Sequence, residues 1–234
     1  MHKSIQYLLA VLFFVLVQTS CCSQRRVVEV PVEPVSRLEA TLIGEVTVRV
    51  MCSGGQGSGT VIGPKLILTA AHVVRDDVTQ MPVQAVFVGS RSAHVVGYDV
   101  GSDLALLEID GDFKSWMYAK VLERDVLEYE ECISAGYPLG VQTPIVTHGM
   151  IQMRDDGGWV LHTSNATYGN SGGGLWVRDG QDWALIGVCQ RTYVFDAAHG
   201  GGPCTYLQLA CQNRKLQAFL TSFSKRQTTP QLLK

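Results

Sequence analysis

An all-β fold is predicted by three observations. Short stretches alternate apolar with polar residues, Gly and Pro turn signals separate them, and there are two sets of six. The first set opens at residues 46–51, where Val46, Val48 and Val50 alternate with Thr47, Arg49 and Met51, the period of a half-buried strand. Residues 60–62 and 66–69, split by Gly63-Pro64, form a hairpin that delivers Ala70, Ala71 and His72 at a strand end. Residues 84–88, 93–99 and 104–109 complete a set large enough to close a barrel. The polar stretch 111–131 crosses to the second set, residues 132–137, 145–153, 158–163, 173–177, 183–189 and 205–210. The pattern alone fits two barrels or a sandwich equally well. Arg214, Lys215, Leu216, Phe219, Leu220 and Phe223 carry a helical spacing and predict a short C-terminal helix.

With 46% hydrophobic and 17% charged residues, the 234-residue chain buries a full core and is not disordered. A net charge of −2 offers no general attraction to nucleic acid or to anionic lipid.

The N-terminus reads as a targeting segment. Lys3 supplies a positive start, and residues 7–17 are an unbroken apolar run of 11. That run falls short of the about 20 residues that span a bilayer, but it suits the apolar core of a secretory signal. Thr19-Ser20-Cys21-Cys22 then resembles a bacterial lipoprotein signal, with Cys21 as the lipidation site, although Gln18 stands where an apolar residue is usual. Lipidation at Cys21, plain cleavage and an uncleaved tether all remain open. The expected division is a signal at 1–22, a linker at 23–37 marked by Pro31 and Pro34, a folded domain at 38–224 and a tail at 225–234. An exported chain can oxidise some of its seven cysteines. Cys189 and Cys204 flank a loop that a disulfide would staple, or else pack as small apolar residues. No His/Cys cluster has metal-ligand spacing, and no metal or organic cofactor is called for.

Three separated segments carry the chemistry: Thr69-Ala70-Ala71-His72, Ser102-Asp103-Leu104-Ala105-Leu106 and Gly169-Asn170-Ser171-Gly172-Gly173. A serine hydroxyl attacks a carbonyl usefully only if an imidazole takes its proton and an acid fixes the imidazole tautomer. His72, Asp103 and Ser171 supply the three parts, 31 and then 68 residues apart. An ordinary imidazole pKa near ~6.5 suits both base and acid steps. A glycine-rich hairpin, a surface turn or a structural histidine would explain any one segment, but not all three in this order. His94, His148, His162 and His199 lack such surroundings, though His162 lies close enough before Ser171 to reach a cleft.

The order His, Asp, Ser and the stretches 57–62, 66–74, 102–109 and 169–175 resemble trypsin-like serine proteases, within them the HtrA (Deg) type. The resemblance implies two six-stranded antiparallel barrels, at about 38–115 and 128–224, and acyl-enzyme hydrolysis of peptide bonds. It implies an oxyanion hole at Gly169, Asn170 and Ser171. Asn170 replaces the Asp that pairs with a new N-terminus in animal relatives, which argues against zymogen switching. Val73 stands where many secreted relatives have a cysteine. The implied substrate pocket comprises Asn165, Cys189, Gln190 and Arg191. Asn165 removes the carboxylate of a trypsin-like pocket and Cys189 the histidine of glutamate-specific ones, leaving a neutral pocket for small or medium apolar side chains. HtrA proteins commonly add a PDZ domain and form trimers; with 11 residues after Phe223, no PDZ domain is expected. The expected partners are protein or peptide substrates, in a bacterial periplasm or on its membrane. The rival reading is a protease-like module that sequesters a protein partner without turnover.

Overall fold

The computed structural model describes residues 35–83, 86–113, 117–194, 206–211 and 213–228. The signal segment with Cys21 and Cys22, most of the expected linker, His199, Cys204 and the last six residues lie outside the described residues.

Among the described residues a helix that the strand pattern does not announce comes first. Helix α1 (Arg37–Glu45) is opened by Ser36, whose hydroxyl accepts from the Glu39 amide at 3.2 Å while the Glu39 carboxylate accepts from the Ser36 amide at 2.8 Å. This reciprocal cap satisfies two amides that a helix start otherwise leaves unpaired. The expected linker therefore gives way to structure by Ser36.

Among the described residues twelve strands follow. β1 (Thr47–Cys52), β2 (Gly55–Val61), β3 (Leu66–Ala70), β4 (Val86–Val88), β5 (Arg91–Asp99) and β6 (Leu104–Ile109) close a barrel in the order β1-β2-β3-β6-β5-β4. β7 (Glu131–Gly136), β8 (Ile145–Arg154), β9 (Trp159–His162), β10 (Gly174–Asp179), β11 (Asp182–Val194) and β12 (Tyr206–Cys211) close a second in the order β10-β11-β12-β9-β8-β7. All ladders are antiparallel. The sandwich alternative is thereby removed, because closure leaves neither sheet with an edge.

The first barrel is filled by Val50, Ile67, Leu68, Leu104 and Leu106, the second by Leu122, Ile151, Val160, Leu175 and Ile186. Helix α2 (Asn213–Thr228) runs past Phe223 into the expected tail. Its Leu216, Phe219 and Phe223, spaced i, i+3, i+7, join the first barrel's core. Phe223 sits over Gly97, where a Cβ would lie 3.0 Å from its ring. Cys52, Cys132 and Cys189 are free thiols, so Cys189 packs in the interior and does not staple a loop.

Candidate active site

His72 stands on a single 3₁₀ turn (Ala71–Val73) at the end of β3. Its amide donates to Asp103 Oδ1 at 2.9 Å and its ring Nδ1 lies 2.7 Å from Oδ2. A carboxylate is only an acceptor, so Nδ1 carries the proton and Nε2 presents its lone pair. Asp103 holds this pose in a left-handed conformation, φ +53°, which a non-glycine residue adopts at a cost. The turn before it is organised by Asp99. Its carboxylate accepts from the Gly101 amide at 3.2 Å, the Ser102 amide at 3.0 Å and the Ser102 hydroxyl. Those bonds, the Ser102 hydroxyl foremost, outweigh burial and hold the Asp99 carboxyl below its ordinary range. The Asp103 carbonyl accepts from the Ala71 amide at 3.0 Å, tying acid and base segments together.

Ser171 lies on the turn between β9 and β10. Gly172 has φ +88°, and a Cβ there would fall 2.1 Å from the Ser58 carbonyl and 2.2 Å from Thr69 Oγ1. Only glycine lets this turn press against the first barrel. The Tyr168 carbonyl accepts from the Leu139 amide at 2.7 Å, and the Asn170 carbonyl from the Gly173 amide at 2.9 Å. In a trans peptide the N–H points opposite the C=O. The amides of Gly169 and Ser171 therefore point away from those clamps, and neither has a protein acceptor among the described residues. Two such donors on one turn are what a developing oxyanion requires. Asn170 is buried, and its own amide donates to the Thr167 carbonyl at 3.0 Å. At rest the Ser171 hydroxyl donates to the Gln190 carbonyl at 3.4 Å.

His72, Gly169, Asn170 and Ser171 border an open cleft of about 1380 Å3, which Asn165, Cys189, Gln190 and Arg191 also border. Asn165 and Arg191 are exposed there; Cys189 and Gln190 are buried in its wall. The side chains of Leu139, Ile145 and Tyr168 add apolar surface, Tyr168 being 88% exposed. His162 does not reach the cleft. It is wholly buried in the second barrel, Nδ1 lying 2.6 Å from Ser164 Oγ, and burial drives its pKa down to about 3. Burial pushes the Cys132 and Cys189 thiols up to about 12, which keeps them unreactive. Among the described residues no group of three or more His, Cys, Asp and Glu side chains is placed to hold a metal.

Sequence motifs do not reveal the supporting roles of Ser58, Asp99, Tyr137 and Leu139. Ser58 is fully buried: its hydroxyl donates to the Gly169 carbonyl at 2.7 Å and accepts from the Tyr137 amide at 2.8 Å. Asp99 offers a local signal, a carboxylate followed three residues later by serine, which reads as a side-chain-capped turn.

The fold has counterparts among known proteins. The fold is similar to that of Rv3671c from M. tuberculosis H37Rv, solved as an inactive serine-to-alanine form: 19% identity, TM-score 0.65, 83% of this chain and 94% of that one covered. It is likewise similar to a serine endoprotease from Yersinia pestis, with 21% identity, TM-score 0.64, and 81% and 67% covered. No curated protein matches the chain by sequence. The model of the trypsin-like peptidase domain family matches residues 57–188, more than half of the chain and all three motif segments, and the chain belongs to that family.

Proposed function

We propose that the protein is a serine endopeptidase that cleaves peptide bonds through an acyl-enzyme on Ser171. One observation carries the reading: His72, oriented by Asp103, shares a cleft with Ser171 and with two backbone amides that have no protein acceptor among the described residues. Attack requires the Ser171 hydroxyl to leave the Gln190 carbonyl and donate instead to Nε2 of His72, which borders the same cleft. Ser171 Oγ attacks the substrate carbonyl while His72 Nε2 takes its proton, and the amides of Gly169 and Ser171 receive the oxyanion. The C–N bond then breaks as His72 returns the proton to the leaving amine. Water, deprotonated by His72, releases the acyl group. The Asp103 carboxylate stabilises the imidazolium in both halves without itself taking the proton.

The exposed apolar side chains of Leu139, Ile145 and Tyr168 suit a preference for apolar substrate residues, and the uncharged Asn165 fits a neutral pocket. Residues 1–22 support export, with Cys21 as a lipidation site and the periplasm or its membrane as the place of action. Mass spectrometry of the mature N-terminus tests that part.

The test of the activity is covalent labelling by a fluorophosphonate together with hydrolysis of a peptide library. Wild type reacts and cleaves, and Ser171→Ala does neither while keeping its fold. The resting bond from Ser171 to Gln190 is the observation that suits a sequestering module instead. Absence of labelling in a folded wild type would establish that rival.

A further inference from the structure

Gln190 joins the two barrels at the reacting groups. β11 bulges between Cys189 and Arg191, so Gln190 has no partner on β12. A bulge re-aims its side chain, and this one leaves the second barrel for the turn that ends at Asp103. There Nε2 donates to two successive carbonyls, Ser102 at 2.8 Å and Asp103 at 2.9 Å. With both amide protons engaged, the side chain has one possible orientation, since the reverse would set Oε1 against two carbonyl oxygens. Gln190 is 5% exposed, and Oε1 is left in the interior without a donor. An unpartnered buried oxygen costs free energy that an apolar side chain of the same length would not. The residue is therefore better explained by its two donors than by its volume.

Those donors act where the backbone is strained. Asp103 is held at φ +53° between the Asp99-capped turn and β6, and its carbonyl accepts from Ala71 on one side and from Gln190 on the other. A backbone rotation at Asp103 would swing the carboxylate off His72. The Gln190 main chain meanwhile accepts from the Ser171 hydroxyl at 3.4 Å. One residue thus touches the acid and the nucleophile from opposite ends.

We propose that Gln190 is a positioning residue that clamps the Ser102 and Asp103 carbonyls, keeping the acid aligned on His72 and in register with Ser171 across the barrel interface. This inference rests on the peptidase reading above.

Gln190→Met tests it by keeping length and removing both donors. The fluorophosphonate labelling rate, corrected for folded protein, is expected to fall about 100-fold, as a small misplacement of catalytic groups does. On a cleaved peptide the loss falls on kcat, with KM within about 3-fold because the buried side chain is engaged by the Ser102 and Asp103 carbonyls and the Gln190 main chain in the cleft wall is kept. The low-field proton resonance of the His72 Nδ1–H bond to Asp103 shifts or broadens. A variant that only melts earlier, with labelling rate and resonance unchanged, overturns the clamp. Should Gln190→Met not fold, wild type decides: both Nε2 protons of Gln190 exchange slowly with solvent if the clamp exists, and rapid exchange refutes it. Failure of wild type to label would instead refute the peptidase reading, and the exchange measurement separates the two.

Discussion

The Ser58 hydroxyl, on β2 of the first barrel, donates to the Gly169 carbonyl of the second at 2.7 Å, across 111 residues of chain. The same oxygen accepts from the Tyr137 amide, and the Ser58 amide donates to the Ser171 carbonyl at 2.8 Å. One buried serine therefore fixes the turn on both sides of Asn170. Ser58→Ala removes the hydroxyl and leaves the part-buried Tyr137 N–H and Gly169 C=O without that partner, at about 1–2 kcal/mol. The unfolding midpoint in urea should fall accordingly. Labelling of Ser171 should slow by about 10-fold or more as the Gly169–Asn170 peptide loosens. Wild-type labelling in a destabilised variant would show that the turn holds itself without Ser58.

Leu139 supplies the second clamp. Its φ is +52°, and its amide holds the Tyr168 carbonyl, so the Gly169 N–H is turned the other way. Leu139→Pro removes that N–H and imposes a negative φ. The labelling rate should fall by about 100- to 1000-fold, the cost of one oxyanion donor. Leu139→Gly keeps the N–H and accepts the positive φ, so labelling should stay within about 3-fold. Equal rates in the two variants would remove Leu139 from the oxyanion machinery.

Much of this architecture is legible in the chain. β1, β3, β6 and β10 coincide with alternating or apolar runs to within a residue or two, because strand burial writes a period directly into sequence. The motif segments of the candidate site are local as well. Helix α1 escapes because Pro31 and Pro34 draw the eye to a linker, although Ser36 and Glu39 have the spacing of a capping box. The supporting residues escape for a different reason. Ser58 meets Tyr137 across 79 residues and Gln190 meets Asp103 across 87, through backbone groups that every residue possesses. No residue type at the far end marks such a contact, so only the fold reveals it.

His162 should make the protein acid-sensitive apart from catalysis. Its folded pKa is lowered by burial from 6.5 to about 3, so the folded state resists protonation that the unfolded chain accepts. Stability is then full above about pH 6.5 and lost as pH falls towards 3, by up to about 1.4 kcal/mol per pH unit from this one group. Urea melts of wild type between pH 7 and 4 should show that slope, and His162→Leu should flatten it. Parallel slopes for the two proteins would mean that another group governs acid unfolding.

Glu39 should govern how α1 is fastened. One carboxylate oxygen caps Ser36, while the other accepts from Arg178 and, at 3.1 Å, from Trp183 Nε1 on the second barrel. The Arg178 guanidinium also lies 4.6 Å from the Trp183 ring centroid. Burial raises the Glu39 pKa, but the bonds from Ser36, Arg178 and Trp183 overcome it and bring the value from 4.5 to about 2. That contribution is present above about pH 4.5 and disappears as pH falls towards 2, a window that overlaps that of His162 between about pH 4.5 and 3 and extends below it. Glu39→Gln keeps the shape but loses the charge, and should lower stability at pH 7 by about 1–2 kcal/mol. Amide exchange in residues 37–45 should accelerate more than in β6, while labelling of Ser171 stays at the wild-type rate. A uniform acceleration across both barrels would show that α1 does not open separately and that Glu39 supports the whole fold.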